Sequence, residues 1–262
     1  LNQSELSVPV LLRKIREINP ETCSVLRNIF ARADSAEALH SQKAKVWAGG
    51  RMRYLQIKTT NLYDESGKVS RMVGSIEDIT DMENDMLKLQ KEARTDLLTG
   101  AMNRAAGTSA INRMLVQELH PGCVNTFAIV DLDNFKTLND VMGHMWGDRA
   151  LCEVVLIMKK HCRAQDIVCR LGGDEFVVFL PDMIREAAEE SLRVLSAKLH
   201  IDYVKENLEV MISASMGIVF SDGRDITFQD LYEEADGCLY QVKRTFKGSY
   251  HISDRAGREK AD

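Results

Sequence analysis

Residues 170–176 read Arg170-Leu171-Gly172-Gly173-Asp174-Glu175-Phe176 and lie between two apolar runs, Ile167-Val168-Cys169 and Phe176-Val177-Val178-Phe179-Leu180. The pattern predicts strand, two-glycine turn, strand, with two adjacent acids at the mouth of the hairpin. Glycine admits positive φ and lets a ligand approach the backbone. Two carboxylates held there are costly unless a cation shares their charge. The chemistry such a turn points to is a divalent metal carrying a phosphate.

A second acidic run, Asp131-Leu132-Asp133, follows the apolar stretch Phe127-Ala128-Ile129-Val130. Asp131 is therefore expected at the C-terminal end of a strand, with Asp131 and Asp133 on the same side. If that strand lies beside the 167–180 hairpin, Asp131 meets Asp174 and Glu175. Three converging carboxylates form a hard-oxygen site of the kind Mg²⁺ takes, with substrate phosphates completing its shell.

Longer spaced motifs surround these acids. They are Asp96-Leu97-Leu98-Thr99-Gly100-Ala101-Met102-Asn103-Arg104, the run from Asp131 through Phe135, Lys136, Asn139, Asp140, Gly143, His144 and Gly147 to Asp148, then Ser215-Met216-Gly217-Ile218, and Ala235-Asp236 with Leu239, Tyr240 and Lys243. Together they resemble the GGDEF family, the diguanylate cyclases, over about residues 94–252. The resemblance implies an α/β (α+β) palm-like domain with a central, mainly antiparallel sheet flanked by helices. It implies Mg²⁺ or Mn²⁺, two per active site, at Asp131, the Leu132 carbonyl, Asp174 and Glu175. Catalysis would rest on Asp131, Asp174 and Glu175, with Glu175 beside the ribose 3′-hydroxyl. Asn139 and Asp148 would read guanine, because a carboxylate suits the guanine donors that adenine lacks. Phe135, Lys136, Lys243 and Lys247 would hold the β- and γ-phosphates with help from backbone amides, and Gly173 would let substrate come close.

One departure stands after Lys243. The family commonly has Gly, Arg, Asn where this chain has Phe246, Lys247 and Gly248. Lys247 keeps the charge and loses bidentate geometry on phosphate, so looser triphosphate binding is expected. Upstream, Arg163-Ala164-Gln165-Asp166 lies at the spacing of the family's inhibitory site, which implies cyclic di-GMP bound at Arg163 and Asp166. Taken alone, such a tetrapeptide is equally a surface ion pair.

The elements that must carry these residues alternate. Periodicity predicts a helix near 103–119, a strand at Phe127–Val130 and a helix carrying Leu151, Val154, Val155 and Met158. After the hairpin come a helix through Ala188, Leu192, Leu195 and Leu199, a strand near 208–220, a helix through Leu231, Ala235, Leu239 and Val242, and a short strand near 250–252. Sheet and helices in alternation make a layered α/β domain.

Three segments are expected: residues 1–78, a linker helix at 79–95, and the catalytic domain at 96–262. Residues 1–40 read as helical, with Pro20 between two groups of apolar residues. A strand pair follows across the turn Asp64-Glu65-Ser66-Gly67 and ends in Asp78-Ile79-Thr80-Asp81. This stretch resembles the C-terminal half of a PAS sensory module; a helical cap plus a hairpin without ligand accounts for the same residues. Ile79, Met82, Met86, Leu89 and Ala93 are spaced 3, 4, 3 and 4. That is a short heptad seam, expected to pair two chains in parallel or else to pack on its own domain.

Composition narrows the function classes. A net charge of −5 argues against general nucleic-acid binding, which calls for a basic patch. The six cysteines are scattered and never form CxxC, so free thiols in a reducing compartment are expected rather than a zinc site. No apolar run reaches the roughly 18 residues of a transmembrane helix. The expected setting is cytoplasmic, either as a free protein or as the cytoplasmic part of a longer membrane-bound one. The resemblance implies condensation of two GTP into cyclic di-GMP and two pyrophosphates by a homodimer under product inhibition. The alternative is a catalytically silent domain that binds GTP or cyclic di-GMP as a receptor.

Overall fold

In a computed structural model, residue 27 and residues 39–48, 50–222 and 226–255 are described. The helices expected over residues 1–40 lie outside them, apart from Arg27, which is helical, and from Leu39 and His40, which are strand rather than helix. The chain divides into two compact units, Leu1–Gln90 and Lys91–Asp262. No helix among the described residues is long and apolar enough to cross a membrane.

In the first unit, β1 (Leu39–Ala48), β2 (Arg51–Tyr63) and β3 (Val69–Asp78) form an antiparallel meander. Asp64 shapes the second turn: its carboxylate accepts from the Ser66 and Lys68 amides at 2.9 and 3.0 Å. Helix α1 (Thr80–Glu92) follows. Its entry is fixed by Asp78, which accepts from the Thr80 amide at 3.0 Å. Along the expected seam Ile79 is buried, while Met82, Met86 and Leu89 are exposed.

The second unit holds one mixed sheet in the order β10-β9-β5-β7-β6-β4, with β8 on β9. The strands are β4 (Met102–Asn103), β5 (Cys123–Asp133), β6 (Ile167–Gly172), β7 (Glu175–Ile184), β8 (Ile201–Lys205), β9 (Leu208–Ser221) and β10 (Tyr250–Asp254). The pairs at the two ends, β10 with β9 and β4 with β6, are parallel; the rest are antiparallel. Helices α2 (Arg104–Leu115) and α6 (Phe228–Thr245) cover one face, against Phe127, Ile129, Val177 and Phe179. Helices α3 (Phe135–Met142), α4 (His144–His161) and α5 (Arg185–Lys198) cover the other, against Ala128, Val130, Phe176 and Val178. Both faces of β5 are dry, which is why its sequence runs apolar without alternation.

The sequence missed β4 and β8. Two-residue β4 has no period to read. Strand β8 is joined to β9 through Glu206, at φ 55, a left-handed position that favours Gly or Asn. The turn residues of the signature hairpin also differ from expectation. Gly172 pairs with Glu175, so the central residues are Gly173 and Asp174 rather than the two glycines. Both glycines do sit at positive φ, +152 and +53.

Candidate active site

The site forms where β5 ends beside the β6–β7 turn. Register sets Asp131 opposite Glu175 on β7 and opposite Ser215 on β9. Opposed residues share a face, so both acids point to the side covered by α6. Lys243 arrives from the last turn of that helix and places Nζ 2.7 Å from Asp131 Oδ2. Burial pushes the Asp131 carboxyl up, and Asp174 and Asp133 add to the rise against the opposing pull of Lys243. Glu175 is also pushed up, first by burial and then by Asp131.

A cleft of about 270 Å³ gathers most of the expected groups. Asp131, Leu132, Phe135, Lys136, Asp174, Lys243 and Lys247 line it. The donors there are carboxylate and carbonyl oxygens, the set that suits Mg²⁺ or Mn²⁺. The convergence of three carboxylates is looser than expected: among the described residues no three His, Cys, Asp or Glu side chains are grouped closely enough to hold a metal. Lys243 on Asp131 supplies the positive charge instead.

The turn that carries Asp174 is clamped from behind. Arg170 donates through Nε and Nη2 to the Gly173 carbonyl at 3.0 and 2.7 Å, and through Nη1 to both Asp96 oxygens at 3.0 and 3.1 Å. Asp96 in turn accepts from the Thr99 amide at 2.9 Å and its hydroxyl at 2.7 Å. The entry segment and the signature are thus one hydrogen-bonded unit. Asn103 extends it, capping α2 through the Ala106 amide at 3.0 Å and donating to the Ala93 carbonyl at 2.9 Å.

Asn139 and Asp148 come from the opposite face, on α3 and α4, and neither lines the cleft. Gly147 explains how Asn139 fits: a Cβ there would lie 2.1 Å from its Oδ1. Asp148 is exposed. Lys243, expected on phosphate, and the two residues expected on the base therefore come from opposite faces of the sheet.

Arg163 and Asp166 lie on the loop between α4 and β6, at the far end of β6 from Gly172. Asp166 accepts from the Arg163 amide at 2.7 Å and Nε at 3.0 Å, while Arg163 Nη2 donates to the Pro181 carbonyl at 2.8 Å. The Asp166 side chain is only 1% exposed, so the pair is anchored rather than a loose solvated contact.

The diguanylate cyclase GGDEF-domain model matches residues 93–249. The chain belongs to the GGDEF family. It is 33% identical over 167 residues to diguanylate cyclase DgcP of Pseudomonas aeruginosa, covering 63% of this chain and 24% of that protein. It is 27% identical over 210 residues to cyclic di-GMP phosphodiesterase PdeB of Shewanella oneidensis, covering 79% and 24%. Among solved structures, diguanylate cyclase SiaD of Pseudomonas aeruginosa superposes with a TM-score of 0.58 at 27% identity, over 66% of this chain and 67% of that one. This GGDEF chain spans about a quarter of the length of those two curated relatives.

Missed by sequence reasoning were the tasks of Arg170, Asp96 and Asp133. All three stood inside recognised motifs, but a clamp across 74 residues, like the bonds that reach Asp133, has no local signal.

Proposed function

We propose that this chain is a diguanylate cyclase that condenses two GTP into cyclic di-GMP and two pyrophosphates. The observation that carries the reading is the register of Asp131 with Glu175, one residue after Asp174, beside a cleft lined by Lys136, Lys243 and Lys247. Asp131, the Leu132 carbonyl, Asp174 and Glu175 would hold Mg²⁺ or Mn²⁺, two per site, which would acidify the 3′-hydroxyl and neutralise the leaving pyrophosphate.

The rest is positioning. Lys136, Lys243 and Lys247 draw in the β- and γ-phosphates with Phe135 and the Gly173 turn alongside. Asn139 and Asp148 select guanine. Glu175 accepts the 3′-hydroxyl proton, a role that suits a carboxyl pushed up by burial and by Asp131. The 3′-oxygen bonds to the α-phosphorus of the other GTP as the bond to the bridging oxygen breaks and pyrophosphate leaves. Two such attacks close the ring, so two domains face each other about a two-fold axis. The exposed Met82, Met86 and Leu89 of α1 support a pairing seam for that homodimer, with the N-terminal unit as a PAS-like sensory module. Product bound at Arg163 and Asp166 would feed back on activity, and Arg163→Ala should relieve that inhibition. The proposed setting is cytoplasmic.

A second reading is favoured by the Lys243–Asp131 pair and the absence, among the described residues, of a grouped metal cluster. It is a silent domain that binds GTP or cyclic di-GMP. Incubation with GTP and Mg²⁺, with products separated by mass, decides between them. Cyclic di-GMP and pyrophosphate support the first, and binding without turnover supports the second.

A further inference from the structure

Asp133 borders the same cleft and its charge is felt by Asp131, but no metal or substrate contact is assigned to it, and it is only 4% exposed. Its Oδ2 accepts three hydrogen bonds, from Ser213 Oγ at 3.1 Å, Ser215 Oγ at 2.8 Å and the Gly248 amide at 3.0 Å. A buried carboxylate is tolerable only when so satisfied, and bonds to an ionised acceptor are the strong ones. The two serines belong to β9, registered opposite Asp133 and Asp131, so two of the bonds stay within the sheet. The third leaves the sheet and reaches the loop after α6.

The Gly248 amide also lies 3.2 Å from Ser215 Oγ, and the Ser249 carbonyl accepts from the Met216 amide at 2.9 Å. Gly248 sits at φ +73, and a Cβ there would meet Ser213 Oγ at 3.1 Å and His200 Nε2 at 3.2 Å. Glycine is thus the residue that lets the loop settle onto Asp133. The neighbour of Gly248 is Lys247, whose side chain lines the cleft. Lysine is a point charge on a flexible stem, so its aim depends on where its backbone is held.

We propose that Asp133 is a positioning residue for the triphosphate: through the Gly248 amide its buried carboxylate holds the loop that carries Lys247 over the cleft. This rests on reading the cleft as the triphosphate site.

The test uses the full chain and two probes, a GTP analogue with methylene between its α- and β-phosphates, and GMP. Asp133→Asn keeps the shape and removes the charge. The expected result is about a tenfold loss of affinity for the analogue, with GMP binding held within about twofold. Unchanged analogue binding, or equal loss of both probes, overturns the proposal. Lys247→Ala should reproduce the pattern, and the double variant should bind no worse than the weaker single; additive losses overturn it, because they would mean two independent contacts. If Asp133→Asn fails to fold, Ser215→Ala removes one donor from the same carboxylate. A smaller loss confined to the analogue is then expected, and unchanged analogue binding overturns the proposal. A wild-type chain that binds the analogue no better than GMP overturns the triphosphate reading itself, and the proposal with it.

Discussion

Lys243 Nζ lies 2.7 Å from Asp131 Oδ2, so the acid expected to hold a metal carries a lysine as its counter-ion. Lys243 is also the residue expected on the outer phosphates. If the cleft takes the triphosphate as proposed, one side chain would serve two anions, paired with Asp131 without ligand and available to phosphate when Asp131 has a metal as its partner. Lys243→Met should raise Mn²⁺ affinity in the absence of nucleotide by about fivefold, taking this partly buried ion pair as worth about 1 kcal/mol. GTP affinity should fall in the same variant. Electron paramagnetic resonance of free Mn²⁺ reads the first effect, and weaker or unchanged Mn²⁺ binding would sink the exchange.

Arg170 makes two kinds of contact that lysine cannot combine, a fork from Nε and Nη2 on the Gly173 carbonyl and a bifurcated contact from Nη1 to both Asp96 oxygens. Arg170→Lys should cost about 1–3 kcal/mol of stability by thermal melting. Because the clamped turn carries Asp174 and Glu175, kcat should fall more than KM rises. A kcat equal to wild type would show that the turn keeps its shape without the clamp.

Gly147 leaves room for Asn139, and an added methyl would lie 2.1 Å from Asn139 Oδ1. Gly147→Ala should expel that side chain from its place. GTP affinity is expected to drop by about tenfold, the worth of a hydrogen bond or two, while inorganic triphosphate binds as before. Equal weakening of both ligands would mean that Asn139 is not reading the base.

The Asp96 carboxyl is subject to burial, which raises its pKa, but bonds from Thr99 and Arg170 outweigh that and hold it below the usual carboxylate range. A folded-state pKa below the unfolded one contributes stability above about pH 4 and loses it as pH falls further. Wild type should therefore lose melting temperature more steeply than Asp96→Asn as pH falls below about 4. Parallel profiles would remove Asp96 from the acid response.

Much of this was legible in the chain. The uninterrupted run before Asp131 placed it at the end of a buried strand, and the two glycines placed the turn beside it. What stayed hidden depended on contacts distant in sequence. The three bonds converging on Asp133 come from residues 80, 82 and 115 positions away. The occupation of Asp131 by Lys243 was equally unreadable, because the same spacing serves a lysine aimed at phosphate. Strand β8 was lost for a local reason: its turn uses Glu206 where pattern reading looks for glycine.

The central claim is that Asp131, Asp174 and Glu175 turn GTP over. It is tested most directly by mass analysis of products from wild type and Asp174→Asn, each incubated with GTP and Mg²⁺. The account predicts cyclic di-GMP with two pyrophosphates per ring from wild type, and bound but unreacted GTP from the variant. No cyclic di-GMP from wild type, or equal production by Asp174→Asn, would contradict it.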